Sequence, residues 1–165
     1  MPNGLQQTTA PTSEPLTLTQ VKNHLRIDDT NSDDELTLLL AAARAHVETR
    51  TNRQLMRATY TMTFDRWPSG NEIALRMPPL ESVTSVTYYD ENGPAIETRP
   101  AAITVIYLAG KASADDVPDA AKLATLQLVG HWFENREAVA FGGNPVELPH
   151  AVEALINQVK VPEIV

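Results

Sequence analysis

The acidic run from Asp28 to Asp34 is the first stretch whose side chains could do chemistry, because Asp29, Asn31 and Asp33 have the spacing of calcium ligands. The pattern then fails. Asp34 stands where the turn glycine belongs and Leu40 where the bidentate glutamate belongs, so the run reads as an acidic loop that caps a helix. His131 has Glu134 and Asn135 three and four residues on, a spacing that shares one helix face. No second histidine clusters with it, and an imidazole beside Trp132 reads as a packed residue at the core edge. His46 and Glu48, two apart, point in different directions, and His24 and His150 have no evident partners. No serine lies in G-x-S-x-G. The one close glycine pair, Gly142-Gly143, follows a helix rather than a strand and reads as a terminator, not a phosphate cradle. The chain has no cysteine, which excludes thiolate zinc sites, iron–sulfur clusters, disulfides and thiol nucleophiles. The expectation is a protein that is not an enzyme and has no catalytic, metal or cofactor site.

Charge narrows the partners. Across 165 residues, 13 Lys+Arg stand against 21 Asp+Glu, a formal net charge of −8, so the electrostatic footprint of a phosphate-gripping protein is missing. Arg44, Arg50, Arg53 and Arg57 do cluster near a helix end, but they read as a solvated face matched to the helix dipole. No apolar run approaches the roughly 20 residues of a membrane span, and residues 1–15 lack the segments of a signal peptide. The length fits one domain with its own core.

Local patterns place the elements. Residues 1–15, rich in Thr, Gln and Pro, read as a flexible N-terminal arm. Thr17 with Gln20 forms a capping box, and Leu16 with Val21 a hydrophobic staple, so a helix is expected over 17–27. Ser32 with Glu35 repeats the capping signal for a longer helix over 33–52, with Leu36, Leu39, Leu40, Ala43 and Val47 on its apolar face. Strands are expected within 57–109. TYTMTF alternates cleanly, and EIALRM, SVTSVTYYD and ITVIYLAG follow between Pro and Gly breakers, with Asn92-Gly93 as a hairpin turn. Helical spacing returns over 118–136, where Leu128 and Trp132 share a face, and again over 149–159 after the Gly142–Pro145 break. Residues 16–159 thus form a single α+β domain of about four helices, with a small antiparallel sheet inserted between the second and third. Leu25, Leu36, Leu40, Leu128 and Trp132 are its expected core. Residues 160–165, KVPEIV, read as an extended docking tail because Pro162 stops the helix.

Three stretches together resemble the adaptor, or head-tail connector, proteins of long-tailed bacteriophages and related gene transfer agents. LTLTQVKNHLRIDDTNSDDELTLLLAAARAHVETRTNRQL looks like the family's N-terminal helix pair, MPPLESVTSVTYYDENG like its inserted strands, and VPDAAKLATLQLVGHWFENREA like its third helix. A departure is the short stretch between Tyr89 and Ile103, which leaves the size of the sheet open.

The resemblance implies a structural protein of the virion neck, assembled in the host cytoplasm. It would form a ring, usually a dodecamer, under the portal, extend the DNA channel and carry the stopper or tail-completion protein below. DNA would pass without tight binding, a role that the acidic charge suits. It also implies portal docking through the end of the chain, which maps here to Asn157, Val159, Val161, Pro162, Ile164 and Val165. For the contact between subunits the expectation is that Arg44, Arg50, Arg53 and Arg57 meet Asp115, Asp116 and Asp119 of a neighbour. The alternative from another class is a small-ligand or regulatory domain with a pocket around Tyr88, Tyr107 and His131.

Overall fold

In the computed structural model, which describes residues 2–68, 72–88, 103–135 and 150–162, the first helix-start signal acts where it stands. Thr17 and Gln20 close their capping box, the Gln20 backbone N–H donating to Thr17 Oγ1 at 3.2 Å and the Thr17 N–H to Gln20 Oε1 at 2.8 Å. Helix α1 (Leu18–Leu25) starts there, with the stapling residues Leu16 and Val21 both buried. Helix α2 (Asp33–Thr51) ends where Asn52 turns left-handed at φ 51°, a conformation that asparagine tolerates. The second capping box does not form. Ser32 has φ −104° and ψ 7° and makes no side-chain capping bond, because its backbone is outside the extended region that aims a cap at the helix. Asp33 in the first turn instead binds Lys22 Nζ at 2.7 Å.

Strand β1 (Pro2–Thr9) corrects the flexible-arm reading over those residues. It pairs antiparallel with β2 (Ala58–Phe64), from Pro2 opposite Phe64 to Thr9 opposite Thr59. An edge strand needs only backbone pairing and one packed side chain, here Leu5 against the sheet core, so polar composition did not prevent it. Strands β3 (Leu80–Tyr88) and β4 (Ile103–Ala109) complete an antiparallel sheet of order β1-β2-β4-β3. β2 and β4 alternate as their sequences require: Tyr60, Met62 and Phe64 are buried, as are Ile103, Val105 and Tyr107, while the intervening residues are half-buried. EIALRM is not a strand. Its Ile73, Leu75 and Met77 pack against the buried residues of the sheet instead of pairing.

A short 3-10 turn (Ala114–Asp116) leads into α3 (Asp119–Glu134), and α4 (His150–Val159) follows. α3 packs against α2 and α4. Leu36, Leu40, Ala43, Val47, Leu128, Val129 and Ile156 are buried in this helical core, with Leu25 and Trp132 partly buried at its margin. A second core lies under the sheet, where Tyr60 and Tyr107 stack with ring centroids 5.8 Å apart. The Asn92-Gly93 turn, the Gly142–Pro145 break, Arg136, Pro149, Ile164 and Val165 lie outside the described residues.

Candidate functional site

Two of the acids are engaged locally. Asp29 caps the Asn31 backbone N–H at 2.9 Å, and Asp33 belongs to Lys22. Among the described residues no group of three or more His, Asp or Glu side chains is placed to hold a metal ion. His131 sits beside Asn135, whose amide donates to the His131 carbonyl at 2.8 Å. His46 packs edge-on against Trp132 with ring centroids 5.9 Å apart, and burial, helped by the Arg50 charge, holds its pKa below the ordinary histidine value. The three residues of the ligand-pocket alternative do not share a site. Tyr107 is buried under the sheet, its hydroxyl donating to the Arg76 carbonyl at 2.8 Å and its pKa pushed up to about 12 by burial. Tyr88 is exposed on the edge strand, and His131 lines a groove with His24, Arg26 and Glu134.

The four arginines expected to face a neighbour are each engaged within the subunit. Arg44 is buried, its guanidinium bound to Glu14 and Glu48 at 2.7 Å each. Burial opposes that charge, but the two carboxylates outweigh it and hold the pKa above the ordinary arginine value. The i,i+4 spacing along the apolar stripe turns Arg44 and Glu48 inward together, so the Arg44 charge is met within its own subunit. Arg50 approaches Glu153 at 3.9 Å, Arg53 donates to the Val159 carbonyl at 3.2 Å, and Arg57 pairs with Glu81. Asp115, Asp116 and Asp119 are exposed, with Asp119 3.8 Å from Lys122 of its own helix.

Sequence reasoning missed the polar centre that joins the two cores. Glu48 Oε2 accepts from Arg44, while Oε1 accepts from Gln54 Nε2 at 2.7 Å and from the Leu55 backbone N–H at 2.9 Å. Gln54 Oε1 in turn accepts from the Tyr60 hydroxyl at 2.6 Å. One chain of bonds thus runs from α2 through the α2–β2 connection into the sheet. The signal that could have found it is Arg44 and Glu48 following Leu36 and Leu40 at steps of four, charges on an otherwise apolar stripe.

The predicted docking end is partly held by its own subunit. The Val161 N–H donates to the Thr51 carbonyl at 2.8 Å, and Asn52 Nδ2 donates to the Val161 carbonyl at 3.4 Å. Val159 is buried and Val161 half-buried, while Asn157 and Pro162 are exposed. Beside this clamp lies a cavity of about 240 Å³ lined by Leu5, Asn52, Arg76, Met77, Val161 and Pro162, among others. Ending the chain at Lys160 is expected to cost about 1 kcal/mol, the worth of a lost backbone hydrogen bond with its packing, and to lower Tm by roughly 2–4 °C in a melting curve.

A profile described as "Phage gp6-like head-tail connector protein" matches residues 15–160. A search of the curated proteins finds no match. Among solved structures, a chain in "Neck of empty GTA particle computed with C6 symmetry" superposes with a TM-score of 0.76 at 23% identity, covering 98% of this chain and 97% of that one. Chains in "Virion of native gene transfer agent (GTA) particle" and "Neck of native GTA particle computed with C12 symmetry" give 0.74 and 0.72 at 21% identity, with the same coverage. These likenesses establish the fold: among the described residues, four helices with a four-stranded antiparallel sheet. The profile spans nearly the whole α+β domain, and the family it describes is structural rather than enzymatic. The chain belongs to the phage gp6-like head-tail connector family.

Proposed function

We propose that this connector forms a closed ring under the portal in the neck of a phage or gene-transfer-agent particle, extends the DNA channel and carries the stopper or tail-completion protein. The observation that carries the reading is the family match over 15–160, joined to a fold shared over 98% of the chain with proteins of symmetric necks. The C12 neck favours a dodecamer. A net charge of −8 suits a conduit, since each phosphate contact would slow DNA passage.

Cryo-electron microscopy of the purified chain mixed with cognate portal rings tests this: a ring seated under the portal is the expected result, and an unoccupied portal would overturn it. The portal contact is assigned to the chain's end from Asn157 onward, with Val159 and Val161 anchoring it to the subunit and the residues after Pro162 reaching the partner. A chain ending at Pro162 should therefore melt like the full-length protein yet bind the portal more weakly. Equal binding in a pull-down would move the docking site elsewhere.

A further inference from the structure

Among the described residues, strand β3 leaves an apolar face uncovered. Leu80, Val83, Val86 and Tyr88 stand opposite Ala109, Tyr107, Val105 and Ile103 of β4, all buried. Cross-strand partners share a face, so these four side chains prolong the core face of the sheet beyond its covering. They are 50%, 48%, 47% and 59% exposed, and Trp67, itself 56% exposed, packs edge-on against Tyr88 with centroids 5.8 Å apart. Five of the seven exposed large hydrophobic residues among those described lie here, and a contiguous patch of this kind marks an interaction surface.

The sheet itself indicates the occupant. Its other edge, β1, is eight residues long against nine for β3 and contains no charged residue. The single charge on β3, Glu81, is paired with Arg57. Edges meant to stay unpaired are commonly guarded by lysines or other charges, and neither edge carries a free one among the described residues. Strand direction also fits. With every neighbouring pair antiparallel in the order β1-β2-β4-β3, β1 and β3 run in opposite directions. A second subunit in the same orientation, set beside β3 by rotation about a common axis, therefore presents its β1 antiparallel to it. The contact is head-to-tail, the type that closes into rings.

Resting on the ring reading above, we propose that the β3 edge is paired by the β1 edge of a second copy of this chain, so that the sheet continues from subunit to subunit and the apolar strip gains a packed neighbour along its open side. Leu5 of that copy, which faces the core side of its own sheet opposite Met62, would be the apolar cross-strand neighbour of that strip.

Two measurements on portal-bound rings test the proposal. The double substitution Val83→Ser and Val86→Ser, at exposed positions, should leave the melting curve of the free subunit nearly unchanged and lower ring occupancy on the portal by roughly tenfold or more. Because the chain has no cysteine, the pair Gln6→Cys and Thr84→Cys can be joined by a short bismaleimide. A ladder of covalent multimers is expected from the double variant and only monomer from Thr84→Cys alone. Wild-type ring occupancy in the serine variant would overturn the proposal, as would the absence of a ladder from intact rings. Dimers from Thr84→Cys alone would replace it with a two-fold β3-to-β3 contact. A wild-type chain that forms no ring on its cognate portal would instead defeat the connector reading, and this contact with it.

Discussion

Replacing Glu48 with alanine is expected to cost about 3–5 kcal/mol, because it strands a buried partner charge. Arg44 would lose one of its two carboxylates, and Gln54 Nε2 and the Leu55 N–H would lose their acceptor in the interior. Tm should fall by roughly 6–20 °C for a domain of this size, as read by thermal and urea denaturation. A loss below about 1 kcal/mol would show that water replaces the carboxylate, as it does at exposed pairs. Arg44→Ala and Glu48→Ala should also be non-additive in a double-mutant cycle, since they share a network.

The same residue predicts a pH effect. Burial raises the Glu48 pKa above its ordinary value of 4.5, although the Arg44 charge and the Leu55 and Met56 N–H groups pull it down. The folded chain therefore holds this proton more tightly than the unfolded chain. Between the ordinary value and the raised one, the folded state binds more protons, so the Glu48 contribution to stability falls as pH rises through that window. Glu48→Gln removes this dependence. Wild-type stability measured relative to that variant should decline from about pH 4 upward and then level off. A difference that rises with pH would reverse the assigned direction.

Gly110→Ala is the second large effect. Gly110 has φ +99°, and an added Cβ would lie 2.4 Å from the Met56 carbonyl oxygen, 2.6 Å from its carbon and 3.0 Å from the Arg57 nitrogen. All three are backbone atoms in a seam of hydrogen bonds: Gly110 N–H to the Pro79 carbonyl at 2.9 Å, Arg57 N–H to Lys111 at 3.0 Å and Lys111 N–H to Leu55 at 3.0 Å. No side chain can swing aside, so the seam itself must open. The expected loss exceeds about 4 kcal/mol, the range reserved for collisions and backbone strain. Gly130→Ala is the control. Its Cβ would meet Leu25 at 3.5 Å, an ordinary contact, within helix α3, so this variant should be neutral or gain up to about 1 kcal/mol. Soluble yield and melting of the two variants side by side decide the matter, and a Gly110→Ala chain that melts like wild type would refute the collision.

The sequence by itself determined whatever rests on neighbours a few residues apart. The Thr17–Gln20 box, the end of the second helix near Asn52 and the alternation of TYTMTF were legible because capping, helix termination and pleating are local. The ordered set of three stretches was legible too, and with it the family. Only the tertiary structure decided what rests on distant pairing. Pro2–Thr9 becomes a strand because β2, more than 50 residues away, offers an open edge. EIALRM covers the sheet because the apolar face beneath it needs covering more than its backbone needs a partner. Arg44 turns inward because Glu14, 30 residues back, completes its shell, and the chain's end folds onto Asn52 from 109 residues away. The steps of four put Arg44 on the apolar stripe but do not name its partner, and a clamped tail has the composition of a surface one; which contacts form depends on the partner that the fold delivers.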